Sequence, residues 1–551
     1  MANFSKILGL ASTAFVFAGM AFGQNASCSS AAASQTPLIR VEGTTELVGE
    51  YVITCTGGGG TANILDIVSL PVTSKALTTS STGITEAVAV VSVGGNIQTA
   101  AGSVVQGTVS GSQISFAGIN IPSGGSTITI ANVRVNATSL TVGTGTPPAI
   151  TESAFISGTS VNSAVTGSAT VGYAFTGLST QTAYKSTPNV SGASKGSNSF
   201  LVCQGYKGTA GLVAFIDVGE NFATSFKGIG SANAALGSEF TNNTETGFTG
   251  ITGGTNVASS GTLLQVVFSN IPAQVTSLFV PITVVADQSL ASTPTPGTGT
   301  LTLVTSPSNL TTVTASTSSS APSATGAVTI ASGGGTAYYL FTPGTASSTT
   351  TETFAIADYI VQSANSTTAT TGSMSAVVSF APIGSTQIPN FVIGPSSTTT
   401  TLSTFTQCTT SLLFPFVTNQ LGFDTGLAIA NTSTDPFGSN GATPQAGTCT
   451  VYFYGAGAPT PNSVVTPSVP SATVYTNTVS ALAPGFQGYA IAQCNFQFAH
   501  GFAFLEDGLG TGAGITMGYL AGVIPDTNQL KRTAANPIGV ATAGMGETLG
   551  N

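Results

Sequence analysis

The sequence has no tryptophan, a single histidine and little charge, with 10 basic and 19 acidic side chains in 551 residues. Each shortage closes off a class of function. One imidazole, His500, cannot furnish the several histidine ligands of most catalytic zinc sites. Ten basic residues leave no positive footprint, so nucleic acid is not expected as a partner. No two of the six cysteines have CxxC spacing, which argues against a zinc ribbon. Beyond residue 23 no run of 18 uncharged apolar residues occurs, so no membrane span is expected in the mature chain. Without tryptophan, and with tyrosines scattered along the chain, the usual aromatic platform of a carbohydrate-binding module is not visible.

What the chain has in quantity is glycine, proline, serine, threonine and β-branched residues, with 68 glycines and 26 prolines. These favour strands and turns over helices. The hydroxyl and amide side chains keep a weakly charged surface polar. A net charge of −9 suits an extracellular protein and disfavours adsorption to anionic membranes.

Residues 1–23 read as a secretory signal peptide. Lys6 supplies the positive start, residues 7–22 an uncharged apolar stretch, and Ala21 and Gly23 the small residues before a cut at Gln24. A membrane anchor fits less well because the apolar run is only 16 residues, short of the roughly 20 a span needs. A lipoprotein is excluded, since Asn25, Ala26 and Ser27 before Cys28 do not make a lipobox. Export makes disulfides the expected use of the cysteines. Cys28 with Cys55 is the best local pair. Cys408, Cys449 and Cys494 offer one pair in the C-terminal region, with Cys449–Cys494 first and Cys408–Cys494 or Cys408–Cys449 as alternatives. The cysteine left over joins Cys203 or stays free.

The length implies several domains. An N-terminal β domain is expected over 24–183. Its opening, RVEGTTELVGEYVITCTGG, is unusually charged: Arg40, Glu42, Glu46 and Glu50 fall within 11 residues. Arg40 and Glu42 share a strand parity, which predicts a solvated strand face, or else a docking edge for another subunit. Residues 84–93 are β-rich. Ile114 alternates with Phe116, and Ile128 with Ile130, whereas Val133 and Val135 shift parity, as at a β-bulge near Ala131. A second β domain spans 184–287, with Phe222 and Phe226 spaced for a short helix. A Thr/Ser/Pro-rich boundary follows at 288–320, then a third β unit over 321–395 and a linker at 396–404. A C-terminal β-sandwich module covers 405–525, ahead of a flexible tail at 526–551.

The C-terminal module holds three of the six cysteines, the only histidine and 11 of the 30 phenylalanines. The segments 412–418, 425–430, 448–454, 474–479, 486–493, 497–505 and 515–523 read as about seven strands separated by Gly/Pro turns. Phe496, Phe498, Phe502 and Phe504 share one parity, with His500 among them, and would lie on one strand face. The fold class expected is therefore all-β, as tandem Ig-like β-sandwich domains. A β-solenoid in the central region is the alternative, weakened by the absence of a fixed repeat.

The stretches LLFPFVTNQLGFDTGLAIANTS and GFQGYAIAQCNFQFAHGFAF, with the N-terminal RVEGTTELVGEYVITCTGG, resemble a family of secreted acidobacterial-type β-rich proteins. The resemblance covers the two ends of the chain. It implies export and a β-rich build, and it carries over no activity and no functional residue.

Candidate chemistry is sparse. A Ser–His–acid arrangement would have to use His500 with Asp424, Asp435 or Asp507, and nothing places a serine beside it. Glycoside cleavage needs two facing carboxylates, but Glu506 and Asp507 are adjacent and read as a turn before Gly508. The sequence at 435–440 offers oxygen ligands for calcium and is equally an ordinary turn. No catalytic, cofactor-binding or metal site is assigned, and the chain is read as a non-enzyme. It is expected to be a secreted structural or interaction protein of the cell surface or matrix, self-assembling or adhesive, with itself or extracellular polymers as partners. An extracellular polysaccharide-binding or polysaccharide-cleaving protein is the alternative.

Overall fold

The computed structural model describes residues 24–76, 83–185, 195–202, 206–207, 214–228, 260–286, 298–344, 350–363, 370–384, 388–394, 397–436, 442, 444–507 and 514–524. The expected signal peptide and C-terminal tail lie outside them. The described chain is all-β, built from packed sheets. The one helix among the described residues is a single turn, Val479–Leu482.

The first sheet follows the order Ser27–Ala33, Tyr51–Thr56, Ser126–Ala131, Ile84–Val93, Val104–Ser110, Gln113–Ile121, Gly60–Val68, Ala149–Thr159, Ala169–Phe175, Leu38–Arg40. It rolls over on itself, since Ala26 bridges Val161 beside the far half of the sheet. One core results, including Tyr51, Ile53, Ile64, Phe116, Ile128 and Ile156. The sheet is larger than a seven-stranded Ig-like domain. The shift of parity after Ala131 is the end of a strand rather than a bulge. Asn132 takes a positive φ of 58°, and Arg134–Val135 then leaves to pair with Glu46–Leu47 in a separate two-stranded sheet.

The units expected at 184–287 and 321–395 are interleaved as two facing sheets. Thr353–Gln362 pairs with both Ala214–Gly219 and Val275–Pro281 in one sheet, and Leu263–Ser269 lies between Gly335–Thr342 and Gly372–Phe380 in the other. A shared core of Leu264, Phe268, Leu278, Tyr339, Phe354 and Phe380 fills the space between them. The 288–320 stretch is no boundary, because Thr300–Ser306 and Asn309–Thr312 are strands of the second sheet; 288–297 lies outside the described residues. The expected linker contributes Thr400–Thr406, which pairs with Gly372–Phe380. Threonine-rich sequence here serves its β-propensity, not flexibility. A solenoid is overturned as well. Its rungs would stack in parallel, whereas these ladders are antiparallel except where Asn198–Leu201 meets Thr400–Thr406. Phe222 and Phe226 lie on bends either side of a turn, not on a helix, and both are buried.

The C-terminal module is a two-layer sandwich. One sheet has the order Ser463–Val465, Cys449–Ala456, Gln487–Cys494, Thr410–Thr418, Gly522–Ile524, and the other Val474–Thr478, Phe423–Asn431, Ala499–Asp507, Thr516–Leu520. Between them pack Leu412, Phe414, Ile429, Val451, Phe453 and Phe486. The expected last strand, 515–523, is broken at the buried Ala521 and divided between the two sheets.

Candidate functional site

The charged N-terminal stretch is where the structure departs furthest from expectation. Arg40, Glu42 and Glu46 are all buried. The Arg40 guanidinium donates from Nη2 and Nε to Glu46 Oε1 at 2.7 and 3.0 Å, and from Nη1 to the Ser225 carbonyl at 2.9 Å. It also lies 4.5 Å from the Phe391 ring centroid. Glu42 Oε2 accepts from the Gly177 amide at 3.0 Å. Arg40 is thus paired with Glu46 rather than Glu42, in the seam between the N-terminal sheet and the central body. The expected solvated face fails because partners more than 180 residues away in sequence cover it. A second sealed pair joins Arg134 Nε to Glu86 at 2.9 Å.

Asp66 and Glu152 point into the N-terminal core from neighbouring strands, where Asp66 sits opposite Ala154 and Glu152 opposite Val68. Burial raises Asp66 to about 7 and Glu152 well above the carboxylate range, Glu152 also feeling the Asp66 charge. None of the four carboxyl oxygens has a hydrogen-bond partner among the described residues, so burial leaves both groups favouring the protonated form. Tyr51 lies across the core and donates to the Gly167 carbonyl at 2.7 Å, with Thr166 as its other partner. Burial likewise raises Glu220 and Asp358, each to about 8, in the central body. Glu220 accepts from the Phe226 and Glu352 amides at 2.6 and 3.0 Å. Paired buried carboxyls are what an acid–base centre needs, but Asp66 and Glu152 are 0% and 1% exposed. No substrate can reach them, and they act on stability.

The residues considered for catalysis are spread along the C-terminal sandwich. His500 is opposite Ala430, while Asp424 is opposite Glu506, six residues further along the same strand. That separation is roughly 20 Å. Asp424 instead accepts from the Ser480 amide at 3.0 Å. Asp435 accepts from the Ala442 amide at 2.8 Å, and 437–440 lie outside the described residues. Glu506 and Asp507 end the Ala499–Asp507 strand rather than forming a turn, so they point to opposite faces. One GxSxG string occurs, at 192–196, with its serine outside the described residues. Phe496 and Phe498 are buried, whereas Phe502 is 41% exposed, so the four phenylalanines do not share a face. The cause is Phe498, whose φ of 58° resets the alternation before the strand begins.

The structure joins Cys28 to Cys55 and Cys449 to Cys494. Each pair sits directly opposite on neighbouring antiparallel strands. Cys408 is disulfide-bonded too, and Cys203 lies outside the described residues.

Two outer faces of the C-terminal sandwich remain. On the four-stranded sheet, Gly426 and Ala428 set a low floor, with Thr476 and Thr478 on one side and Phe504 and Phe502 on the other. The resulting trench has a volume of about 310 Å³. On the five-stranded sheet, Tyr452 and Tyr454 alternate outward and meet Ile491 and Tyr489 across the ladder. The Tyr454 and Tyr489 rings stack 5.0 Å apart with 18° between their planes, 38% and 42% exposed. Gln487 opposes Ala456 at one end of this face and Gln493 opposes Thr450 at the other. The tyrosines, scattered in sequence, are gathered by cross-strand register. That pairing could not be found without knowing which strands neighbour each other.

No family model matches the chain, and no curated protein matches it. Similar solved structures include the T6 backbone pilin of serotype M6 Streptococcus pyogenes, 9% identical, covering 90% of this chain and 80% of that one, with a TM-score of 0.20. BcpA, the major pilin subunit of Bacillus cereus, is 9% identical, covering 85% of this chain and 97% of that one, with a TM-score of 0.22. The full-length major pilin SpaD of Corynebacterium diphtheriae is 8% identical, covering 90% of each chain, with a TM-score of 0.21. Likeness at these TM-scores carries no argument about what this chain does.

Proposed function

We propose that the chain is a secreted structural or adhesive protein of the cell surface or extracellular matrix, with the C-terminal sandwich as its interaction module. The observation that carries this reading is the pair of outer faces just described. They expose Phe502, Tyr454 and Tyr489 on a module whose sequence from 405 to 524 contains no lysine or arginine. Exposed aromatics on rigid strands suit binding, because their contact area costs little conformational entropy. Disulfides support an oxidising compartment, and the resemblance of the two ends to secreted proteins supports export. The buried carboxyls Asp66 and Glu152 favour a non-enzyme, since they are sealed in a core away from any substrate.

A self-assembling variant of this role has its own support. Val474–Thr478 and Thr516–Leu520 are the edges of the four-stranded sheet, and neither carries a charge. Charged side chains are a common protection against edge-to-edge pairing. Fractionation of native cells with antibody detection, followed by immuno-electron microscopy, tests the proposal. Label at the surface or in the medium is expected, and recovery in the cytoplasm would overturn it. Regular filaments or arrays carrying the label would select the self-assembling form.

A further inference from the structure

We propose that the outer face of the five-stranded C-terminal sheet binds a neutral polysaccharide, an inference that rests on the adhesive reading above and names its partner. Tyr452, Tyr454 and Tyr489 present ring area outward, and no hydrogen bond among the described residues holds their hydroxyls. Gln487 and Gln493 place amides at the two ends of the same face. The surface therefore alternates flat apolar area with hydrogen-bonding groups. Sugar rings do the same, with C–H faces and a rim of hydroxyls, and binding sites commonly combine apolar lining with a few polar groups.

Charge and size select this occupant over others. No strand of the five-stranded sheet carries a charged side chain. An anionic polymer would meet no cation, and a cationic one no carboxylate, so an uncharged ligand is the complementary one. From Thr450 to Ala456 the face runs roughly 20 Å, and five strands span about 19 Å, giving about 400 Å². A stable protein–protein interface takes about 800 Å² from each partner. The face is too small for a second copy and long enough for a polymer strand lying along the tyrosines.

The test uses the full mature chain with three insoluble neutral glycans, cellulose, β-1,3-glucan and xylan, and with alginate gel as the anionic comparison. Depletion from solution by at least one neutral glycan is expected, unchanged by 0.5 M salt (roughly a 4 Å screening length). Tyr454→Ala/Tyr489→Ala should weaken it at least tenfold. Tyr489→Phe should retain most binding, and Val165→Ala, exposed on the N-terminal sheet, should bind as the wild type does. The tyrosines are surface residues, so the double variant should melt like the wild type, and Tyr489→Phe covers the case in which it does not. No binding to any neutral glycan would overturn the inference, as would equal binding by the double variant or a salt-sensitive preference for alginate. Concentration-dependent dimerisation abolished by the double variant would overturn it in favour of a second copy. A surface-located protein that fails to bind refutes this inference alone. A protein that binds glycan but sits in the cytoplasm refutes the adhesive reading instead.

Discussion

Asp66→Asn should stabilise the N-terminal sandwich at alkaline pH and leave it nearly unchanged in acid. Burial raises the Asp66 carboxyl from 3.8 to about 7 in the folded chain. The folded state thus holds a proton that the unfolded chain releases above about pH 4. Folding takes up a proton in that window, so stability is greatest near and below pH 4, falls as pH rises through 7, and levels off above. A displacement of about three pH units at ~1.4 kcal/mol each puts the cost of ionised Asp66 at roughly 4 kcal/mol. Glu152 shifts in the same direction and feels the Asp66 charge, so the two titrate together and their costs do not add. Asparagine cannot ionise, and it keeps the shape and a hydrogen-bond donor. At pH 8 the variant should gain about 2–4 kcal/mol, which for a domain of this size raises the melting point by roughly 5–15 °C. At pH 4 the two proteins should agree to within about 1 kcal/mol. Calorimetric scans of the full chain at pH 4, 6 and 8 read the transitions. Hydrogen exchange on Tyr51–Thr56 and Ala149–Thr159 assigns the N-terminal one. A wild-type N-terminal transition that is higher at pH 8 than at pH 4, or a variant with the same pH slope as wild type, would refute the reasoning.

Three other outcomes follow. Arg40→Ala strands Glu46 as a buried charge and removes the stack on Phe391, so urea denaturation should show a loss of about 3–5 kcal/mol; a change under 1 kcal/mol would mean water reaches the seam. Replacing Cys449 and Cys494 by alanine opens a loop of 45-residue sequence separation and should cost about 3–4 kcal/mol in the C-terminal transition; non-reducing peptide mapping of the wild type should recover the two cysteine peptides linked. Intact-mass analysis of secreted material should begin the mature chain at Gln24, and a retained Met1 would end the export argument.

The C-terminal strands were legible because their signals are local. Thr410–Thr418, Phe423–Asn431 and Cys449–Ala456 alternate buried and exposed residues between Gly- and Pro-rich turns, so period and punctuation agree. Reading failed where the cause was non-local. Nothing in 353–362 says that it pairs with strands starting at 214 and 275, so consecutive units were drawn where the chain interleaves. Nothing around Phe498 announces a positive φ, and one residue in that conformation moved two phenylalanines from the expected face into the core. The Tyr454–Tyr489 pair was missed for the same reason, being 35 residues apart in sequence and adjacent only through register.

The hardest feature to read was the placement of charge, and it bears directly on function. Sequence reasoning puts scarce charges on the surface, because an isolated buried ion is costly. Here eleven charged residues are buried among the described residues, with Arg40, Glu46, Glu86 and Arg134 in two ion pairs. The rule is not broken, because the buried arginines have carboxylate partners and the buried acids of the cores have pKa values raised by burial. The consequence lies outside the cores. A chain that spends so many of its few charges internally keeps little for electrostatic recognition. What its surface can offer a partner is hydroxyls, amides and aromatic rings. Those groups make short-range contacts that salt barely screens, and they match uncharged partners better than ionic ones. The strands of the five-stranded C-terminal sheet carry no charged side chain, so the binding proposed for its tyrosine face should be insensitive to salt.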